Sequence, residues 1–343
     1  MKTFAAINVG SYEQTLKIYT ITKNNGIREV DWIRNRLDLG GTFATGKLSH
    51  EVMDELCAVL RNFVSIMEGY RVDDYRACAT SAIRETKNTA IVLDQIMQRT
   101  GVKLDVLSNS EQRFLDYKSI ASRGGFEKII EKGTLVLDIG GGSIQMSLFD
   151  KDKLSATQNM RLGVLRLQEK MSRLNVRPSE NGPLLEELLE AQLSVFRKMY
   201  LKDRVIENII VVDDYISALI LGKLGKVAGS GYLDRDSMAS YMNYLHDHTD
   251  MEIVRYFDTP EENVPLLRIS SAIVRQVALM TDAKMIWAPG VSLCDGMVYE
   301  YAEEYKLLAQ VHDFEHLCAR HQQALYGQQA PCGDAGADRT DDF

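Results

Sequence analysis

Two short segments of this chain follow one plan, and this repeat restricts the possible folds more than any other feature. Residues 7–18 read INVGSYEQTLKI and residues 137–148 read LDIGGGSIQMSL. Each is an apolar strand ending in Asn8 or Asp138, then a glycine-containing turn of small residues, then a second strand. Asn8 and Asp138 stand 130 residues apart, about one domain length. A duplicated α/β unit would place the two turns opposite each other across a cleft.

Strands and helices alternate along the rest of the chain, which favours an α/β architecture. Residues 4–9 and 15–22 predict a hairpin, because a Gly-Ser turn separates two apolar or alternating runs. Apolar residues at helical spacing predict a helix over 49–67, with Ser49 as its N-cap. The length of 343 residues suggests two domains, each large enough to bury its own core.

Composition excludes several classes of function. The chain has 40 Lys+Arg against 48 Asp+Glu, a net charge of −8, which argues against broad nucleic-acid binding but leaves room for a local basic pocket. No run approaches the roughly 18 apolar residues of a membrane helix, so no membrane partner is expected. The five cysteines include no C-x-x-C pair, which predicts reduced thiols in a cytoplasmic protein rather than disulfides or a zinc site.

The sharpest local signal is DIGGGS at 138–143. Three consecutive glycines let backbone N–H groups converge on an anion, and Ser143 adds a hydroxyl donor. Asp138, at the end of the strand, is placed to hold a divalent cation or to orient water against that anion. The alternative is a tight hairpin whose aspartate satisfies its amides. The segment matches neither the Walker phosphate loop nor the dinucleotide-binding fingerprint.

Two further charged residues have both a structural and a functional interpretation. Glu111 lies just inside a predicted helix, where a carboxylate gains from the helix dipole, or where it could act as a general base that activates water. Arg84 opens a helix after a strand and gains nothing from the dipole there, so it is either an anion contact or a solvated arginine.

Six segments resemble the exopolyphosphatase and guanosine pentaphosphate phosphohydrolase (Ppx/GppA) family in order and spacing, over about residues 1–305. They are INVGS from residue 7, ATSAIRETKN at 79–88, SNSEQRF at 108–114, LDIGGGS at 137–143, LGVLRL at 162–167 and PGVSLCDGMVYEYA at 289–302. The resemblance implies the fold of the actin, sugar-kinase and heat-shock-chaperone superfamily, with two duplicated α/β domains around a central phosphate-binding cleft.

This resemblance also implies domain boundaries. We expect a first α/β domain over 1–117, a second over 118–294, and a C-terminal helix over 295–326 that packs back on the first domain. Residues 327–343 have almost nothing to pack and predict a disordered tail. A homodimer is the assembly that the resemblance implies.

Site residues carry over position by position. The resemblance implies that Glu111 is the catalytic base, that Asp138 is the acidic residue of the second phosphate loop, and that the two together hold Mg²⁺. The phosphate-binding residues that it implies are Gly10 and Ser11 in the first loop, Gly140, Gly141, Gly142 and Ser143 in the second loop, and Arg84.

The chain also departs from the family pattern at four places. Asn8 stands where the first loop has an aspartate, and Gln145 stands where the second loop has a glutamate of the catalytic pair. Glutamine cannot accept a proton as a carboxylate can. Asp213-Asp214-Tyr215 replaces a Gly-Gly-Thr loop and adds like charge where phosphate would sit. Cys294 takes the place of an arginine.

Three functions therefore stay open at this stage. The first is a phosphohydrolase acting on polyphosphate or a guanosine polyphosphate, with Glu111 activating water. The second is a silenced relative that binds a phosphorylated ligand as a sensor or scaffold. The third is a small-molecule kinase of the same superfamily, which the phosphatase-like order of the six segments disfavours.

Overall fold

The computed structural model describes residues 1–23, 26–174, 181–202, 204–220 and 231–307, and within them the chain builds two β-sheets. The first sheet has the order β3-β2-β1-β4-β5. Its strands are β1 (Lys2–Val9), β2 (Glu13–Thr22), β3 (Gly26–Arg36), β4 (Asp74–Ala79) and β5 (Leu104–Val106). The predicted hairpin is thus confirmed as β1 and β2, which pair antiparallel.

The second sheet has the order β10-β11-β9-β6-β7-β8. Its strands are β6 (Thr134–Ile139), β7 (Ile144–Asp150), β8 (Lys153–Met160), β9 (Asn208–Val212), β10 (Tyr232–Asp234) and β11 (Met285–Trp287). β10 pairs antiparallel with β11 at the edge of this sheet, and it has no counterpart in the first sheet as described.

Without β10, the two sheets have one topology. In each, three strands form an antiparallel meander, and two later strands add in parallel beside the first strand of the meander. Asn8 and Asp138 are each the last residue but one of that first strand. The repeat in the sequence therefore marks the same place in two copies of one fold.

Helices cover these sheets, and their apolar faces form the cores. They are α1 (Gly41–Thr45), α2 (His50–Gly69), α3 (Ser81–Arg84), α4 (Thr89–Thr100), α5 (Asn109–Ala121), α6 (Phe126–Ile130), α7 (Val164–Leu174), α8 (Asn181–Phe196), α9 (Asp214–Leu219), α10 (Arg235–Asp247), α11 (Asp250–Phe257), α12 (Val264–Leu279) and α13 (Leu293–Glu304). The helix predicted over 49–67 is confirmed as α2, and the Ser49 side chain accepts the N–H of Val52 as the expected N-cap does.

The last described helix, α13, packs on the first sheet. Its residues Leu293, Met297 and Val298 share one apolar cluster with Phe4 of β1 and Leu115 of α5. The rest of the helix expected over 295–326, and the tail expected over 327–343, lie outside the described residues. None of the described helices combines the length and the apolar character needed to cross a bilayer.

Candidate active site

The turns that follow β1 and β6 have the same internal hydrogen bond. The Gly10 N–H donates to the carbonyl of Glu13 over 3.0 Å, and the Gly140 N–H donates to the carbonyl of Ser143 over 2.9 Å. We call residues 10–13 the first loop and residues 140–143 the second loop. Both loops leave the carboxyl end of a strand that has a parallel neighbour, which is where ligands bind in open α/β sheets.

The two loops face each other in contact. A Cβ atom added to Gly141 would lie 2.9 Å from the Cβ of Ser11, closer than carbon atoms can pack. One added to Gly142 would lie 2.4 Å from the Phe43 ring and 2.6 Å from the Ser81 hydroxyl. That hydroxyl is also within 3.0 Å of the Ser11 hydroxyl. The glycines of the second loop thus let the two halves of the molecule approach closely.

The second loop also offers backbone donors. The N–H groups of Gly141, Gly142 and Ser143 donate to no acceptor in the part of the chain that the structure describes. The carbonyls of Gly140 and Gly141, in contrast, accept the N–H groups of Val164 and Leu165 at 3.1 and 3.0 Å, which ties the loop to the start of α7. Successive unpaired N–H groups in a tight turn are the usual protein cradle for an anion.

Asp138 lies at the base of the second loop and is held by two glutamines. Its Oδ2 accepts the side-chain amide of Gln112 over 3.1 Å and that of Gln145 over 3.2 Å. Arg84 donates to the amide oxygen of Gln112 over 3.3 Å, which orients the amide N–H of Gln112 toward Asp138. A chain of hydrogen bonds therefore runs from α3 through α5 to β6 and links the two halves.

Burial governs the charge of Asp138. Removal from water raises its pKa to about 6, although the donors on Gln112 and Gln145 act in the opposite direction. A second carboxyl, that of Asp116, is within hydrogen-bonding contact of Asp138. Burial, and then the charge of Asp138, raise the pKa of Asp116 well above its usual range.

Glu111, the expected catalytic base, is not among the residues that surround Asp138. Its carboxylate accepts the backbone N–H of Ser108 over 2.8 Å, while the Ser108 side chain accepts the N–H of Glu111. This capping box closes the start of α5, leaves Glu111 exposed and lowers its pKa. Consecutive helix residues point about 100° apart. The next residue, Gln112, is therefore the one that reaches Asp138, and the structure does not bring Glu111 into contact with it.

Arg84, the expected phosphate contact, does belong to this network. Its guanidinium donates to the carbonyl of Leu107 over 2.7 Å as well as to Gln112. Burial lowers its pKa, and the neighbouring carboxylates of Glu85 and Asp138 counteract that effect. Arg84 thus brings a positive charge into the surroundings of Asp138.

Two of the residues that depart from the family pattern, Asp213 and Cys294, are buried and have structural roles. Asp213 is buried and caps α9, since one carboxyl oxygen accepts the Ile216 N–H over 2.6 Å and the other accepts the Ser270 hydroxyl over 2.9 Å. Asp214 follows it and is exposed. Cys294 is buried, which raises the pKa of its thiol, so it packs as a small apolar residue.

Glu111 and Asp138, the two residues expected to hold Mg²⁺ together, do not meet in the structure. Within the described ranges, no three His, Cys, Asp or Glu side chains come together in a way that could hold a metal ion. Glu111 is engaged at its own helix, and one oxygen of Asp138 already accepts two N–H donors. Because Mg²⁺ is commonly held by one or two carboxylates together with phosphate oxygens, Asp138 stays the expected protein ligand.

Four residues near these loops were not singled out from the sequence. Gln112 and Asp116 stand one helical turn apart, a spacing that could have pointed to them once Glu111 was recognised as the partner of Ser108. Gly163 lies under the second loop, where a Cβ would come 2.2 Å from the carbonyl oxygen of Gly141. Arg166 donates to the carbonyl of Gly142 over 2.9 Å and carries no local signal for that contact.

Comparison with curated proteins finds several relatives. Exopolyphosphatase 1 of Mycobacterium leprae is 27% identical over 154 residues, which is 45% of this chain and 44% of the relative. The guanosine-5'-triphosphate,3'-diphosphate pyrophosphatase of Photobacterium profundum is 25% identical over 181 residues, 52% of this chain and 35% of the relative. The matched region thus spans less than half the length of these relatives.

The fold agrees with a solved structure over nearly the whole chain. The crystal structure of an exopolyphosphatase from Cytophaga hutchinsonii superimposes with a TM-score of 0.75 at 18% identity, covering 90% of this chain and all of that one. The expected architecture of two α/β domains with one repeated topology is confirmed. The profile of the Ppx/GppA phosphatase family matches residues 25–303, more than three quarters of the sequence. From this match and from the paired loops, the chain belongs to the Ppx/GppA phosphatase family.

Proposed function

We propose that this protein slowly hydrolyses the terminal phosphoanhydride bond of polyphosphate or of a guanosine polyphosphate, with Asp138 as the group that accepts the proton of the attacking water. The observation that supports this proposal most is the position of Asp138 at the base of a loop with three unpaired N–H groups. The names of the two relatives described above refer to polyphosphate and to a guanosine polyphosphate as their substrates.

The chain's own groups supply a complete set of roles. The N–H groups of residues 141–143 would bind oxygens of the terminal phosphoryl group and stabilise the charge that grows on them during transfer. Arg84 adds positive charge near Asp138. Asp138, with a pKa of about 6, is largely ionised at neutral pH and still basic enough to take a proton from water. The new bond joins the water oxygen to phosphorus, and the bond to the leaving phosphate breaks with its electron pair.

A matched pair of variants tests this assignment. Asp138→Asn keeps the shape of the side chain but cannot accept a proton, so phosphate release should fall about 10²–10⁴-fold. Glu111→Gln is the control, because Glu111 only caps α5; its rate should stay within about threefold and its stability should fall by about 1 kcal/mol or less. The measurement is inorganic phosphate released from long-chain polyphosphate and from guanosine pentaphosphate. Equal rates in Asp138→Asn and the unmodified protein would contradict the proposal.

A second candidate is binding of the same ligands without turnover. It is favoured by Gln112 and Gln145, which surround Asp138 with amides that cannot accept a proton. Titration calorimetry with polyphosphate separates the two functions. Binding that is retained in Asp138→Asn, with no phosphate released by either protein, would select the binding function.

A further inference from the structure

A cavity of about 740 Å³ lies between helices of the second half, and none of the residues that line it belongs to the two loops. Its walls come from α7, α8, α10 and α12. Leu185, Met242, Leu245 and Ile269 line the cavity and are buried members of the core of this half, so the floor of the cavity is aliphatic. Concave, mostly apolar spaces of this size are where proteins bind small molecules.

Arg268 of α12 lines the cavity, but its guanidinium is fully engaged. It donates to the carboxylate of Asp250 over 2.8 Å and to the carbonyls of Leu245 and His248. Its Nε shares the same oxygen of Asp250, so all three nitrogens have an acceptor. Arg268 therefore fastens α12 to the end of α10 and keeps this wall of the cavity in place.

Arg275, two helical turns further along α12, also lines the cavity and keeps donors available to a ligand. Its Nη1 donates to the carboxylate of Glu186 on α8, whereas Nε and Nη2 have no acceptor within the residues that the structure describes. Nε and Nη2 form one edge of the planar guanidinium, and such an edge matches the two oxygens of a carboxylate. The cavity thus combines an aliphatic floor with a pair of donors suited to a carboxylate.

We propose that this cavity is a binding site for an aliphatic carboxylate, whose chain packs on Met242, Leu245 and Ile269 and whose carboxylate binds Nε and Nη2 of Arg275. Leucine and isoleucine offer a hydrocarbon chain only apolar contacts, and the flexible methionine adapts to its shape. The site lies apart from the phosphate chemistry and does not rest on the function proposed above.

The charges around the cavity give the site a sign that can be tested. Two arginines and two carboxylates line it, and they pair as Arg268 with Asp250 and Arg275 with Glu186. The carboxylate of Glu186 therefore competes with an anionic ligand for Arg275. Removing the charge of Glu186 should favour the ligand, whereas removing the charge of Arg275 should disfavour it.

Titration calorimetry on the full chain, without any phosphate substrate, measures these effects. Octanoate is the probe, and 1-octanol is the neutral control of equal chain length. Arg275→Gln should weaken octanoate binding about tenfold, and Glu186→Gln should tighten it about two- to fivefold, while 1-octanol binding stays the same in both. Decanoate should bind more tightly than octanoate by about fourfold for each CH₂ that is buried. No binding of octanoate to the unmodified protein, or equal losses for octanoate and 1-octanol in Arg275→Gln, would overturn the proposal.

Nuclear magnetic resonance locates the ligand without a variant that has to fold. In protein labelled with ¹³C at the methionine methyl groups, octanoate should shift the signals of Met171 and Met242, which line the cavity. Met53 is the control, because it is buried in the core of the first half. Shifts of Met53 without shifts of Met171 and Met242 would place the ligand elsewhere and refute the site. Because no measurement here involves turnover, failure of the proposed hydrolysis would leave these results unaffected.

Discussion

Asp213 is the buried N-cap of α9, and each of its two carboxyl oxygens accepts a hydrogen bond. Burial raises its pKa to about 7, although the N–H of Ile216 acts against that shift. An unfolded aspartate has a pKa near 3.9. Between pH 3.9 and about 7, Asp213 therefore holds a proton in the folded protein but has released it in the unfolded chain. The contribution of Asp213 to the free energy of unfolding is therefore greatest at the low-pH end of this range and is lost as the pH rises toward 7.

We expect Asp213→Asn to remove this pH dependence. Asparagine caps a helix about as well as aspartate and does not ionise, so it keeps the contact with Ile216. At pH 8 the variant should be more stable than the unmodified protein by an amount on the order of 2–4 kcal/mol, and at pH 4.5 the two should be nearly equal. Urea unfolding at the two pH values measures this difference. A stability gap that does not change with pH would show that Asp213 is ionised in the folded protein.

For single residues, the sequence predicted where in the chain a turn lies, but it did not predict the direction in which a side chain points. The motif around Asp138 predicted a turn at the end of a strand, and the turn is there. Whether Glu111 or Gln112 faces Asp138 depends on a rotation of about 100° around the helix axis. The sequence interpretation chose Glu111 because a carboxylate can act as a base. Serine followed three residues later by glutamate is itself the signature of a capping box, and this signal outweighs chemical type.

At the scale of elements, the second loop is supported from below by the segment that enters α7. Gly163 lies there in contact with the backbone of Gly141 and Ser143. The carbonyl of Gly141 also accepts the N–H of Leu165. The position of the three unpaired N–H groups is thus set by a neighbouring element rather than by the loop itself.

We expect Gly163→Ala to displace the second loop. Its Cβ would meet the carbonyl oxygen of Gly141 at 2.2 Å, and backbone atoms cannot yield as a flexible side chain can. The loss of stability should be about 1–3 kcal/mol, together with loss of phosphate binding. Gly69→Ala is the control, because nothing lies within 4 Å of that Cβ at the end of α2; it should change stability by less than about 1 kcal/mol. Equal effects of the two variants would contradict this account, and thermal unfolding measures both.

Elements with strong periodicity were predictable, and the strands β10 and β11 were not. The hairpin of β1 and β2 and the helix α2 follow from patterns of ten or more residues. β10 and β11 have three residues each, too few for a period-2 pattern to emerge. Their pairing depends on long-range contacts that a local reading of the chain does not contain.

At the scale of the whole molecule, arginines on both halves contact the opposite half. Arg166 of α7 reaches the first half, where its guanidinium contacts Glu85 over 2.9 Å and lies 4.2 Å from the centre of the Phe43 ring. Arg36 of β3 reaches the second half and contacts Glu262 and Asn263. The two contacts originate on opposite halves, so each half holds the other.

We expect the pair of Arg166 and Glu85 to show energetic coupling. Both side chains are about one fifth exposed, so screening by water is partial, and a double-mutant cycle with alanine should give about 0.5–1.5 kcal/mol. Arg173 and Glu169 form a matched control, since they make an exposed ion pair within α7 alone; their coupling should be about 0.5 kcal/mol or less. The cycle is measured by urea unfolding. Additive single effects for Arg166 and Glu85 would show that the contact does not help to hold the two halves together.

The contact between Ser11 and Gly141 has a consequence for the history of such chains. These residues occupy corresponding turns of the two copies, and their side-chain positions already touch. After a duplication, descendants of the two turns are usually free to drift apart, but here a larger residue in one turn requires a smaller one in the other. Among relatives, the volumes at these two positions should vary inversely, and a lineage that enlarges both should have lost the closed arrangement.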